Sequence, residues 1–90
     1  MLNEFAPLLV DDMDANALLP HLMRYGLANR EDTDYISNPY RTSRERNMHI
    51  IRTAPHKDSN AFERFVRCLE EVQSDLAVQL RQRMSKLSFI

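Results

Sequence analysis

The side chains able to do covalent or metal chemistry are few in this sequence and far apart. His21, His49 and His56 lie in three different segments, and Cys68 is the sole cysteine. A zinc site draws three or four ligands together, usually with short spacings visible in the chain, and none is visible here. No serine or cysteine pairs with a histidine at a recognisable spacing. A loop that cradles phosphate consumes several glycines, whereas Gly26 is the only one present. The paired acids Asp11-Asp12 and Glu70-Glu71 read as solvated helix ends and faces. These residues predict no catalytic site, no metal site and no cofactor. A single cysteine cannot close an internal disulfide, which fits a reducing compartment, and Cys68 is expected as a small buried or half-buried thiol at the edge of a core.

Charge is the more informative chemistry. Residues 1–40 hold seven acids (Glu4, Asp11, Asp12, Asp14, Glu31, Asp32, Asp34) against Arg24 and Arg30, a net of −5. Residues 41–67 hold seven bases (Arg41, Arg44, Arg46, Arg52, Lys57, Arg64, Arg67) against Glu45, Asp58 and Glu63, a net of +4. The remainder cancels, and the whole chain carries −1. So small a net charge gives no general attraction to nucleic acid or an anionic membrane. The segregation predicts a globule with an acidic side and a basic side, able to dock head to tail on a similarly built partner.

The elements that must hold these charges are helices. Ninety residues with 43% hydrophobic and 28% charged content make one small domain, residues 1–90, too apolar to be disordered. A single glycine leaves little material for hairpin turns. In residues 61–80, Phe62, Phe65, Val66, Leu69 and Val72 recur at helical spacing. Ser74 and Asp75 interrupt that stripe before Leu76, Ala77, Leu80, Met84 and Leu87 resume it, which predicts two helices packed on one another.

Upstream, Leu2, Phe5, Leu9 and Met13 predict a first helix capped by Asn3 and made short, bent or split by Pro7. Asp14 is expected to cap a second helix carrying Leu18, Leu19, Leu22 and Met23, with a break near Pro20 and an exit through Gly26 onto Leu27. Asn29 to Asp32 predicts a capped third helix bearing Tyr35 and Ile36 and stopped by Asn38-Pro39. Thr42-Ser43-Arg44-Glu45 is a capping box opening a fourth helix. Its stripe is read as Met48, Ile51 and Ala54, with Ile50 to one side and Pro55 as terminator. Asn60 with Glu63 is expected to cap the fifth. Six helices with short connections make an antiparallel bundle, all-α, without strands or repeats. No uncharged run nears the roughly 18 residues that cross a bilayer, and the N-terminus lacks the form of a signal peptide. A cytoplasmic location is expected.

In series, these segments resemble a caspase recruitment domain (CARD) of the death-fold superfamily. LLPHLMRYGL (18–27) resembles the family's second helix and its exit; REDTDYISNP (30–39) resembles the short third helix and the turn after it. TSRERNMHIIRTAPHK (42–57) resembles the fourth, and NAFERFVRCLEEVQSDLAVQL (60–80) the aromatic-rich fifth and leucine-rich sixth. Two features depart from the family pattern. Asp58-Ser59 stands where a glycine often follows the basic residue, and Glu4 and Pro7 stand in a first helix that is often basic.

The resemblance implies a Greek-key death fold, no enzymatic activity, and recruitment by homotypic contact in apoptotic or innate-immune signalling. The partner would be another CARD-containing protein, such as a caspase, an adaptor or a nucleotide-binding receptor. A helical filament of self-associated copies is a further possibility of the same surfaces. Carried over by position, Asp11, Asp14, Glu31, Asp32 and Asp34 form the acidic side, and Arg41, Arg44, Arg46 and Arg52 the basic side. Two alternatives are weaker: nucleic-acid binding through the basic fourth helix, and an inhibitory decoy that caps a partner's oligomer. The chain begins with Met1, as in relatives with an N-terminal recruitment domain, and further domains are compatible with its end.

Overall fold

A computed structural model of the chain describes residues 6–88, apart from the side chains of Ala6, Leu8 and residues 84–88. The expected Asn3 cap and the core roles of Leu2, Phe5, Met84 and Leu87 lie outside what is described. The described residues form six α-helices and no strand: α1 (Ala6–Asp12), α2 (Ala15–Arg24), α3 (Arg30–Ser37), α4 (Ser43–Thr53), α5 (Ala61–Val72) and α6 (Ser74–Ser88). The chain therefore has the all-helical bundle expected of it.

Local chemistry accounts for most boundaries. Pro7 lies in the first turn of α1, where its missing N–H deprives no carbonyl of a partner. The Asp14 carboxylate accepts from Ala17 N at 3.2 Å and starts α2. Gly26, at φ +72°, ends that helix: its N–H reaches Met23 O at 3.1 Å, and Leu27 N reaches Leu22 O at 2.8 Å. This is a Schellman closure, and it delivers Leu27 into the core. Reciprocal capping boxes open α3 (Asn29 with Asp32) and α4 (Thr42 with Glu45).

Three expectations are corrected. Pro20 does not break α2, which runs unbroken through it. The carbonyl it leaves unpaired belongs to Asn16, and both residues lie on the solvent side, where water can serve that group. Asn60 makes no side-chain cap. The turn before α5 is held instead by Asp58, whose carboxylate accepts from Asn60 N at 2.9 Å. Ile50 is fully buried rather than to one side of the stripe, and Met48 is only half-buried. The buried face of α4 and its C-cap is Asn47, Ile50, Ile51 and Ala54, turned about 50° from the one expected and sharing Ile51 and Ala54 with it.

The core gathers Leu9, Leu18, Leu22, Leu27, Ile36, Ile50, Phe65, Leu69 and Leu80, with Cys68 among them. Burial pushes the Cys68 thiol up to about 11, aided by the nearby Glu71 carboxylate, so it is a packing group rather than a nucleophile. Phe62 is half-buried at the margin. α1 packs on α4, α3 on α4, α5 on α6, and α2 runs between α5, α3 and α4.

Candidate protein-interaction surface

Packing α1 on α4 brings the first acidic and basic residues together rather than apart. Arg44 Nη1 lies 3.1 Å from Asp11 Oδ1, with the two side chains 72% and 69% exposed. Arg41 pairs with Glu45 at 3.3 Å one turn on, and its guanidinium lies 4.2 Å from the centre of the Tyr35 ring. The Glu45 carboxyl is held below its ordinary range by the Thr42 N–H, the Thr42 side chain and Arg41. Arg46 turns inward, donating to Asn38 O at 2.8 Å and to Asn16 Oδ1 at 3.3 Å, and so ties α4 to α2 and to the end of α3. Arg52 is exposed and makes no ion pair among the described residues.

Between α3 and α4 these residues bound a cleft of about 320 Å³. Tyr35, Met48 and His49 line it, and Arg44, Glu45 and Arg52 are among the polar residues beside them. The Tyr35 ring has two close neighbours: the Arg41 guanidinium lies 4.2 Å from its centre, and His49 stacks on it at 4.2 Å between centroids with 17° between planes. An aromatic wall with guanidinium groups around it suits a carboxylate-bearing segment.

The acidic residues divide. Glu31 and Asp34 are exposed on α3 and make no ion pair among the described residues. Asp14 is exposed but spends an oxygen on its cap. Asp32 is 5% exposed and faces inward. One of its oxygens meets His49 Nε2 at 2.8 Å and the other Lys57 Nζ at 2.7 Å, and it accepts from Asn29 N at 3.1 Å. Burial by itself raises the Asp32 carboxyl, but Lys57, the Asn29 N–H and His49 together outweigh it and leave the group below its ordinary value. Asp32 therefore joins α3, α4 and the segment after α4, and offers a partner little.

Sequence reasoning missed this cluster because Asp32, His49 and Lys57 are 17 and 25 residues apart and share no spacing rule. It also missed Asn47, 1% exposed, whose Nδ2 donates to Val10 O at 2.7 Å and Met13 O at 2.9 Å at the end of α1. A signal for Asn47 existed: it falls at i, i+3, i+4 and i+7 with Ile50, Ile51 and Ala54. Glu71 is a third such group. It accepts from Arg24 at 2.7 Å and from the Tyr25 hydroxyl at 3.1 Å, with His21 Nδ1 at 3.5 Å, and so fastens α2 to α5.

The bundle and its charged, solvent-facing helices define a class: a small helical interaction domain with ion pairs and an aromatic cleft on its surface. The model of the caspase recruitment domain matches residues 1–83 of this chain, and the chain belongs to that family. Members are homotypic protein-interaction modules of signalling, not catalytic domains, and they bind other proteins of the CARD or death-fold kind. Comparison with curated proteins and with solved structures gave no match. No helix among the described residues is long and apolar enough to cross a membrane.

Proposed function

We infer that this chain is a recruitment module that binds another CARD-containing protein (a caspase, an adaptor or a nucleotide-binding receptor) in apoptotic or innate-immune signalling in the cytoplasm. Its basic contact surface is the outer face of α4, with Arg44 and Arg52 as the groups that meet the partner and Arg41 as the clamp on Tyr35. Its acidic contact surface is Glu31 and Asp34 on α3, with Asp11 beside Arg44. Arg46, Asp14 and Asp32 serve by holding the helices that present these groups. The observation that carries the reading is the exposure of Arg44 and Arg52 beside a cleft with an aromatic wall.

Exposed ion pairs are worth about 0–1 kcal/mol each, so several act together. The contact therefore weakens as salt rises. Glu45 and Asp11 beside Arg41 and Arg44, on a chain of net charge −1, make this face a poor track for a phosphate backbone. The test is binding of the purified chain to a panel of CARD-containing partners. Arg52→Glu and Arg44→Glu should each weaken the contact tenfold or more while leaving the helical spectrum unchanged. Binding that survives both changes and ignores salt would reject this surface.

A further inference from the structure

One end of the bundle carries the α1–α2, α3–α4 and α5–α6 connections side by side. Arg46 reaches across from α4 to Asn16 on α2. Gln73, at the α5–α6 junction, donates from Nε2 to Asp12 O at 2.7 Å and accepts from Asp14 N at Oε1, also at 2.7 Å. This end holds both a protruding side chain and a recess.

The protrusion is Tyr40. Its side chain stands in water, 93% exposed, more so than Met23 or Val78 at 51% each. Its backbone is fixed: Tyr40 N donates to Asn38 Oδ1 at 2.9 Å, and Arg41 N donates to Asn38 O at 3.1 Å. A rigid turn bearing one exposed aromatic ring is inexpensive to immobilise and has a large area to bury. Tyrosine is also among the residues that most often dominate an interface.

The recess lies where α1 ends against the α5–α6 junction. It is a cleft of about 400 Å³ lined by Val72 and Leu76 together with Asp12, Asp75 and Gln79. Half-buried Val72 offers the edge of the ring an apolar contact over the buried Leu76, and the two carboxylates offer acceptors to a phenol O–H, which needs one when buried. The charges beside them are of opposite sign: Arg41 follows Tyr40 directly, whereas Asp12 and Asp75 line the recess.

We propose that the recess receives Tyr40 from a second copy of this chain. Because ring and recess share one end of the bundle, a two-fold axis through that end seats each Tyr40 in the other copy's cleft at once. The assembly closes as an isologous dimer, joined end to end, rather than growing into an open filament. The choice of a second copy rests on the homotypic reading above; the ring and recess do not.

The test is sedimentation of the full chain over a concentration series at low salt, paired with an isotope-labelling experiment. A dimer is expected, and Tyr40→Ala and Asp75→Lys should each weaken it tenfold or more with an unchanged far-UV spectrum. In the second experiment, unlabelled wild-type chain should shift the amide signals of residues 73–79 in labelled chain, and unlabelled Tyr40→Ala should not. The inference is overturned if the chain stays monomeric, if Tyr40→Ala associates as strongly as wild type, or if Tyr40-dependent assembly grows past two copies. Failure of the α4 reading looks different. There, Arg52→Glu leaves binding to CARD-containing partners intact, whatever Tyr40 does to the dimer.

Discussion

Asp32 shows how a residue counted as surface charge becomes an internal fastening. Its carboxyl titrates below the ordinary range in the folded chain, so it stabilises the fold above the unfolded value, about 3.9. That contribution is lost as pH falls through the lowered folded value. Below about pH 4, urea unfolding of the wild type should therefore show a fall in stability that Asp32→Asn largely lacks. At neutral pH, Asp32→Ala should cost about 3 kcal/mol, because Lys57 and His49 lose the group they share inside the fold. Asn47 is the neutral counterpart. Asn47→Ala should cost about 2 kcal/mol, since two carbonyls at the end of α1 lose their donor. Asn47→Asp should be worse, because a buried carboxylate would face those same carbonyls, and part of the loss should return on acidification.

At the scale of the helix, the sequence was readable at most points where the deciding chemistry is local. The Asp14 cap, both capping boxes, the Gly26 exit and the Asn38-Pro39 stop each depend on residues within a few positions of one another. Of the readings that needed correction, the Asn60 cap lost to a local competitor, Asp58, and the others depend on what lies across the bundle. Pro20 breaks a helix only if the freed carbonyl has nowhere to turn, and here it faces solvent on a helix whose Leu18 and Leu22 are locked into the core. The α5–α6 junction likewise falls at Gln73 rather than Ser74, since Gln73 bonds to the α1–α2 connection. Proline inside a helix is about 3 kcal/mol less favourable than alanine, offset by under about 1 kcal/mol from its stiffer unfolded chain. Pro20→Ala should therefore raise stability by about 2 kcal/mol, read as a higher melting temperature with the helical signal unchanged. Gly26→Ala should lower it by about 1–2 kcal/mol through backbone strain alone, because a Cβ there would meet only Arg64 Nη1 at 3.7 Å, an ordinary contact.

At the scale of the molecule, the proposed contact residues and the core residues are different sets, and that separation is itself testable. The α5–α6 stretch that carries the strongest periodicity supplies Phe65, Leu69 and Leu80 to the core, and the fold was legible from it. The surface was legible only as a charge imbalance. Sequence order predicts an acidic half and a basic half, whereas folding sets Asp11 against Arg44 and turns Asp32 inward. Phe65→Ala should cost about 3–5 kcal/mol. That is a large share of the about 5–15 kcal/mol that holds a domain folded, and the variant should lose partner binding together with its cooperative melt. Added salt should do the reverse. The Debye length falls from about 10 Å at 0.1 M to about 3 Å at 1 M, which screens exposed pairs such as Arg44–Asp11 but leaves apolar burial in place. Titrating sodium chloride through that range should weaken binding to a CARD-containing partner tenfold or more, with the melting temperature held within a few degrees. A parallel fall in both would mean that the contact surface and the core are the same residues, which the burial of Phe65 and the exposure of Arg52 contradict.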